Sequence, residues 1–381
     1  MRAQFIVKKL FPILIKPPTR IPLRLFGTHE ELLHKFDPAY WYPVTVGQVL
    51  NDTYKLVAKL GFGNSSTVWL ARDITRWSWQ SARYVTLKIS TSHAADSANT
   101  DHYTHEAYIS NQILHKNPSH PGLQFLRTAI GGFEIKGQKG PHSVLVYEPM
   151  RESMLILLDR FEASGKKRQC EPTFVKKVVR FILSGLDYLH NECRIVHRDV
   201  SLSNILIPIE SPSLLTTLEK SESQYPFPQN HLPSGYIVHM SHEDLGPILP
   251  GKDIGTGADV WSVGMIVWEL LAGSKLFQGT DPEFQIRTKR KHLADLISLL
   301  GPPPSALLSR GKLSLSFFNS SGKFKYSKLL TPDRKLKSQF MDKMSHDEQD
   351  AFLDFMKGIV IWDPRERKSV KELREHRWLV Q

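Results

Sequence analysis

Residues 194–207, RIVHRDVSLSNILI, constrain this chain more than any other stretch, because a dense polar loop is set there between two apolar, β-like runs. Such flanks hold a loop at both ends and fix the side chains between them. Asp199 and Asn204 lie five residues apart on it. A carboxylate held in this way can orient and deprotonate a hydroxyl, while a nearby amide oxygen can ligate a hard cation such as Mg²⁺. The triplet His-Arg-Asp alone arises by chance. The longer pattern H-R-D-x-x-x-x-N between β-like runs is far more specific.

The pattern changes character on either side of residue 150. TYKLVAKLG, SSTVWLARD and RYVTLKIS are short, β-branched and bounded by turn residues, so residues 50–90 read as strands. A helical stretch near 100–116 and two apolar strands near 125–135 and 143–148 follow. Beyond them FVKKVVRFILSGLDYLHNE carries apolar residues at three- and four-residue spacing, as a half-buried helix does. VWSVGMIVWELLAG is apolar on nearly every side, which suits a helix at the centre of a lobe. A strand-rich part followed by a helix-rich part implies an α+β protein of two lobes. The expected divisions are a basic tail over 1–40, a first lobe over 41–149 and a second over 150–381. A polar, Pro-containing stretch at about 208–235 reads as an inserted loop.

Charge is partitioned rather than spread. Of a net +12, residues 1–29 contribute +6 with no acid, and residues 285–337 contribute +10 through twelve basic residues against Asp295 and Asp333. The remainder is therefore −4. The late segment reads as a solvated basic face, since no interleaved aromatic platform accompanies it, and no nucleic-acid partner is expected. The tail reads either as a disordered basic arm or, loosely, as a mitochondrial transit peptide, although it is poor in Ser. Lys8, Lys9, Pro12 and Lys16 break its apolar pieces, so it is no membrane span. Cys170 and Cys193 cannot build a disulfide framework, which points to a reducing intracellular compartment and inert thiols.

Two further sites gain weight from their positions. In LGFGNSSTVWLARD, residues 60–73, Leu60 leads into Gly61 and Gly63, where the absence of Cβ lets backbone approach phosphates. The bland reading is a hairpin turn. The loop lies between strands rather than before a helix, which excludes a dinucleotide-binding turn. Val68 returns the chain to a strand able to cover a base. Lys88 closes the apolar strand YVTLKIS, and Glu106 lies in the next helix. Each alone is a surface charge; as a pair they would hold an ammonium against α- and β-phosphates.

In order and rough spacing these motifs resemble the eukaryotic protein kinases, over about residues 45–381. YLH before IVHRD, DVWSVGMIVWELL after it and the terminal DPRERKSVKELREHRWL agree. Within that family, YPVTVGQVLNDTYKLVAKLGFGNSSTVWLARD is similar to the serine/arginine-protein kinase group, including fungal relatives. The resemblance implies a small antiparallel β-sheet lobe and a larger, mainly helical lobe. It implies a monomer, cytoplasmic or nuclear, using ATP and Mg²⁺ to phosphorylate Ser/Thr of protein substrates, Arg/Ser-rich ones in particular.

Carried onto this chain, it makes Leu60, Gly61, Gly63 and Val68 the nucleotide lid, and Lys88 with Glu106 the phosphate clamp. LVYEPM, residues 145–150, becomes the hinge, with Tyr147 lining the pocket and Glu148 and Met150 offering backbone to adenine. Leu206 becomes the adenine floor, Asp199 the catalytic base and Asn204 a metal ligand. Asp259 would brace the catalytic loop.

The chain also departs from the pattern. Thr86 stands where the family usually has Ala, and Ser201 where serine/threonine kinases usually have Lys near the γ-phosphate. No D-F-G and no A-P-E occur between Asn204 and Asp259; the nearest substitute metal carboxylate is Asp244, in HEDLG. Only ILPGKDIGTGA follows, too short for an activation segment, so Arg198 and Arg367 are expected to lack their usual partners. Either the chain is a degraded kinase kept for binding, or a few dozen residues are missing from this translation. The abrupt join before GTGADVWSVG favours the second.

Overall fold

The computed structural model describes residues 4–6, 36–63, 65–77, 79–92, 101–209, 211–224, 229–231, 237–239, 255–310, 314–336 and 339–380. In chain order the first elements are β1 (Gln4–Ile6), β2 (Val49–Leu50), β3 (Tyr54–Gly63), β4 (Ser66–Asp73), β5 (Arg83–Ser90) and α1 (Asp101–Lys116). Next come β6 (Leu126–Arg127), β7 (Gly131–Gly137), β8 (Gly140–Tyr147), β9 (Met150–Ser153), α2 (Met154–Ala163) and α3 (Pro172–Asp187). They are followed by β10 (Ile205–Pro208), α4 (Ser213–Gln224), β11 (Gln229–His231), β12 (Ile237–His239), α5 (Thr256–Ala272) and α6 (Lys289–Leu300).

Two compact units result, one of Met1–Leu157 with Leu202–Pro250, the other of Leu158–Ser201 with Gly251–Gln381. Sequence order suggested a single boundary at 149/150. β10 pairs with β9 and β1, which groups the start of the 202–250 stretch with the first unit.

The first unit is built on a six-stranded antiparallel sheet ordered β2-β3-β4-β5-β8-β7. Side chains alternate between its faces. Trp69, Ala71, Val85, Leu87 and Ile89 build a core on one face with Leu56, Val144 and Val146. The opposite face carries Val57, Ala58, Leu70 and Tyr84, against which Leu60, Leu215 and Leu218 pack. The last two leucines belong to α4, inside the stretch read as an inserted loop. Three residues apart, they share one helical face, and burial of that face stabilises a helix that its Ser/Thr-rich sequence does not announce. Glu219 on α4 accepts from the Tyr84 hydroxyl at 2.5 Å and pairs with Arg72 at 3.5 Å.

A second sheet of this unit is ordered β6-β1-β10-β9. Within the stretch read as a tail, Phe5 is wholly buried and lies across from Ile205 on one side and Leu126 on the other. β12, expected to lead toward a metal carboxylate, pairs with β11. Asp244 lies outside the described residues.

The second unit is helical. In α3 the buried Val175, Val178, Val179, Ile182 and Leu186 recur at three- and four-residue steps, and Pro172 supplies the preset first turn. α5 buries Val260, Val263, Ile266, Val267, Leu270 and Leu271 and ends at Gly273, whose φ of 71° is the left-handed cap conformation. Phe352, Phe355 and Trp378 stack edge-on or tilted at ring separations of 4.8 to 5.3 Å.

The basic segment is partly structural. Arg290 pairs with the fully buried Asp281 and with Glu283, while Lys291 and Arg334 share the buried Asp295. Burial pushes the Cys170 thiol up to about 12, in keeping with an inert cysteine. Among the described residues no helix is long and apolar enough to cross a membrane.

Candidate functional site

Strand register gathers the first group of expected residues. Gly61 on β3 lies opposite Val68 on β4, which lies opposite Lys88 on β5. Directly paired residues share a face, so the glycine loop, Val68 and Lys88 form one row across the sheet. A Cβ at Gly61 would meet nothing within 4 Å, and its φ is not in the left-handed region. Neither packing nor backbone conformation of the protein itself therefore requires glycine there, and the open space beside it would admit close approach of a ligand. Leu60 joins the cluster beneath α4 rather than standing alone at the lid.

The Lys88 ammonium donates to both oxygens of Glu106, at 2.8 and 2.7 Å. Burial raises the Glu106 pKa, but the lysine charge and the hydrogen bonds from Lys88 and Tyr147 outweigh it, and the carboxyl ends below its ordinary value. The carboxylate is thus kept ionised, as a lysine clamp needs.

The hinge stretch follows β8. Glu148 presents its backbone carbonyl, which accepts from Arg127 at 2.9 Å, and Met150 opens β9 opposite Pro208. Leu206 is buried on β10, paired with Ser153, so the expected adenine floor and hinge are adjacent strands of one sheet. Asn204 is buried at the end of the single 3₁₀ turn before β10.

Thr86 is 2% exposed on the face of Val68 and Lys88, and its hydroxyl has no hydrogen-bond partner among the described residues. An unmade buried hydrogen bond costs about 1–3 kcal/mol. Thr86→Val should therefore stabilise the protein by about 1 kcal/mol. Thermal denaturation should show a rise of roughly 2–4 °C; a fall would mean the hydroxyl is satisfied.

The second unit holds the other half of the motif. Asp259, in the first turn of α5, is 1% exposed and accepts from the backbone N–H groups of His197 and Arg198, each at 2.7 Å. It also bonds His190 Nε2 at 2.8 Å. Arg198 adopts φ 69°, a left-handed conformation uncommon outside glycine and concentrated at functional loops. Half-buried Asp199 follows it, its N–H donating to His197 Nδ1 at 3.1 Å. The brace expected of Asp259 is present in full.

Arg367 finds partners that sequence reasoning missed. It donates to the carbonyls of Ile361 and Gly257 and lies 4.7 Å from the Trp261 ring. Burial lowers its pKa to about 10.

An antiparallel sheet carrying a glycine loop and a Lys–Glu clamp, with a braced H-R-D loop elsewhere in the chain, defines a nucleotide-dependent phosphotransferase of the protein-kinase type. The protein kinase domain model matches residues 54–379, and the chain belongs to that family. A serine/threonine protein kinase of Aspergillus fumigatus is 28% identical over 374 residues, spanning 92% of this chain and 90% of the relative. The serine/threonine-protein kinase SRPK of Physarum polycephalum is 26% identical over 410 residues, spanning 93% and 92%. SRSF protein kinase 3 of Sus scrofa is 34% identical over 203 residues, 51% of this chain and 33% of the relative.

Proposed function

We propose that this chain binds ATP through Gly61, Gly63, Val68, Lys88 and the 148–150 backbone and transfers its γ-phosphate to serine or threonine of Arg/Ser-rich proteins. The observation that carries this reading is the two-point Lys88–Glu106 pair, set in register with Val68 and Gly61. Asp199 accepts the proton of the attacking hydroxyl; the new oxygen–phosphorus bond forms as the bond to the β-phosphate oxygen breaks. Lys88 holds the α- and β-phosphates while charge builds on the leaving side.

Mg²⁺ normally keeps several waters and needs only one or two protein oxygens beside the nucleotide phosphates. Asn204 would supply one such oxygen. When bound, the ion neutralises charge on the β- and γ-phosphates.

A second reading, a nucleotide- or protein-binding scaffold, draws support from Ser201, which provides no cation where the family usually has Lys. Incubating the chain with ATP, Mg²⁺ and an Arg/Ser-rich peptide decides between them. Phosphoserine in the peptide, detected by mass spectrometry, is the expected result. Intact peptide, with ATP binding retained, would establish the scaffold instead.

A further inference from the structure

Tyr147 closes β8, sits across from Thr86 on β5 and is 8% exposed. On the face of it the side chain is a wall of the nucleotide pocket. Its hydroxyl does more: it donates at 2.9 Å to Glu106 Oε1, the oxygen that also accepts from Lys88. Burial, reinforced by the Glu106 charge, drives the phenol pKa up, so the group remains a donor throughout the working pH range. The ring is itself held. The Arg127 guanidinium lies 4.7 Å from its centroid, while Arg127 donates to Gln4 Oε1 at 2.7 Å and to the Glu148 carbonyl at 2.9 Å.

A carboxylate held by one flexible lysine can pivot with it, whereas a second donor from a rigid, clamped ring fixes its plane. We propose that Tyr147 is a positioning residue, which orients Glu106 and through it sets the Lys88 ammonium for nucleotide phosphates. This rests on the reading of Lys88 as a phosphate ligand.

The position of the hydroxyl separates this role from that of a wall. Tyr147→Phe keeps the ring and removes only the bond to Glu106. Phosphate binding should suffer and base binding should not. By calorimetry, the full chain carrying Tyr147→Phe should bind ADP about three- to tenfold more weakly, with adenosine affinity unchanged. The acid limb of ADP binding should also move to higher pH. Glu106 must be ionised to hold Lys88, and removing a bond that lowers its pKa lets it protonate earlier as pH falls.

Combining Tyr147→Phe with Glu106→Gln tests the route, because a residue acting through Glu106 adds little once that carboxylate is gone. Unchanged ADP affinity in Tyr147→Phe would overturn the proposal. So would equal losses for ADP and adenosine, or an undiminished effect in the Glu106→Gln background. A wild-type chain that binds adenosine but shows no preference for ADP would remove the phosphate role of Lys88, and the proposal with it. Binding of neither ligand would overturn the nucleotide reading as a whole.

Discussion

Replacing Asp259 with asparagine is expected to destabilise the protein by about 3 kcal/mol, the scale set by losing charge-assisted bonds around a buried carboxylate. Three donors converge on the side chain: two backbone N–H groups at 2.7 Å and His190 Nε2 at 2.8 Å. Two of them share Oδ2. An amide has the carboxylate's shape but only one acceptor atom, so either its NH₂ faces two donors or it faces one. At 1% exposure no water replaces the lost partner.

Placement in the first turn of α5 adds a second loss, since a negative charge there is favoured by the helix dipole. Thermal denaturation followed by circular dichroism should show a melting temperature lower by about 6–12 °C. A shift below 1 °C would show that the brace carries no stability. The loop should also loosen, because the φ of 69° at Arg198 is costly unless its surroundings enforce it. Amide exchange at His197 and Arg198 should therefore quicken more than exchange in α3.

How far these features could be seen in the sequence depended on the distance over which each is determined. The β3, β4 and β5 strands were legible because β-branched content and bounding turn residues are local signals, and the row of Gly61, Val68 and Lys88 follows once antiparallel pairing is assumed. α3 was legible from its helical period and α5 from a long run that is apolar on nearly every side. β1 was not, because a three-residue strand in a basic stretch acquires strand structure only from Ile205 and Leu126, more than a hundred residues away.

α4 was missed because Ser, Thr and Glu dominate it and its helicity rests on Leu215 and Leu218 meeting a distant sheet face. The Lys88–Glu106 pair was predicted as a pair, but the shared donor Tyr147 was seen only as a pocket wall: nothing in LVYEP says where a hydroxyl points. Arg367 seemed to need an acidic partner because sequence reasoning looks for opposite charge; backbone carbonyls serve as well, and they carry no sequence signature. The brace of Asp259 was visible through family resemblance alone, since an aspartate opening a helix is ordinarily just a favourable charge.

Asp199→Asn should leave folding almost untouched and slow the chemistry severely. The side chain is half-buried, in contrast to Asp259, and the substitution preserves its size, so the melting temperature should stay within about 2 °C of wild type. ATP affinity should also persist, because Gly61, Val68, Lys88 and the hinge backbone all lie on other elements. What disappears is a base able to take the proton of the attacking hydroxyl. Such a base contributes typically 10²- to 10⁴-fold to rate, and a loss of about that size in peptide phosphorylation is expected. The measurement is initial rate at saturating ATP and Mg²⁺, with nucleotide affinity determined on the same preparation. An unchanged rate would show that the phosphate came from a contaminating kinase or that another group is the base. A loss of ATP affinity as large as the loss of rate would place Asp199 in nucleotide binding instead, and would leave the proton without an acceptor on the loop that most constrains this chain.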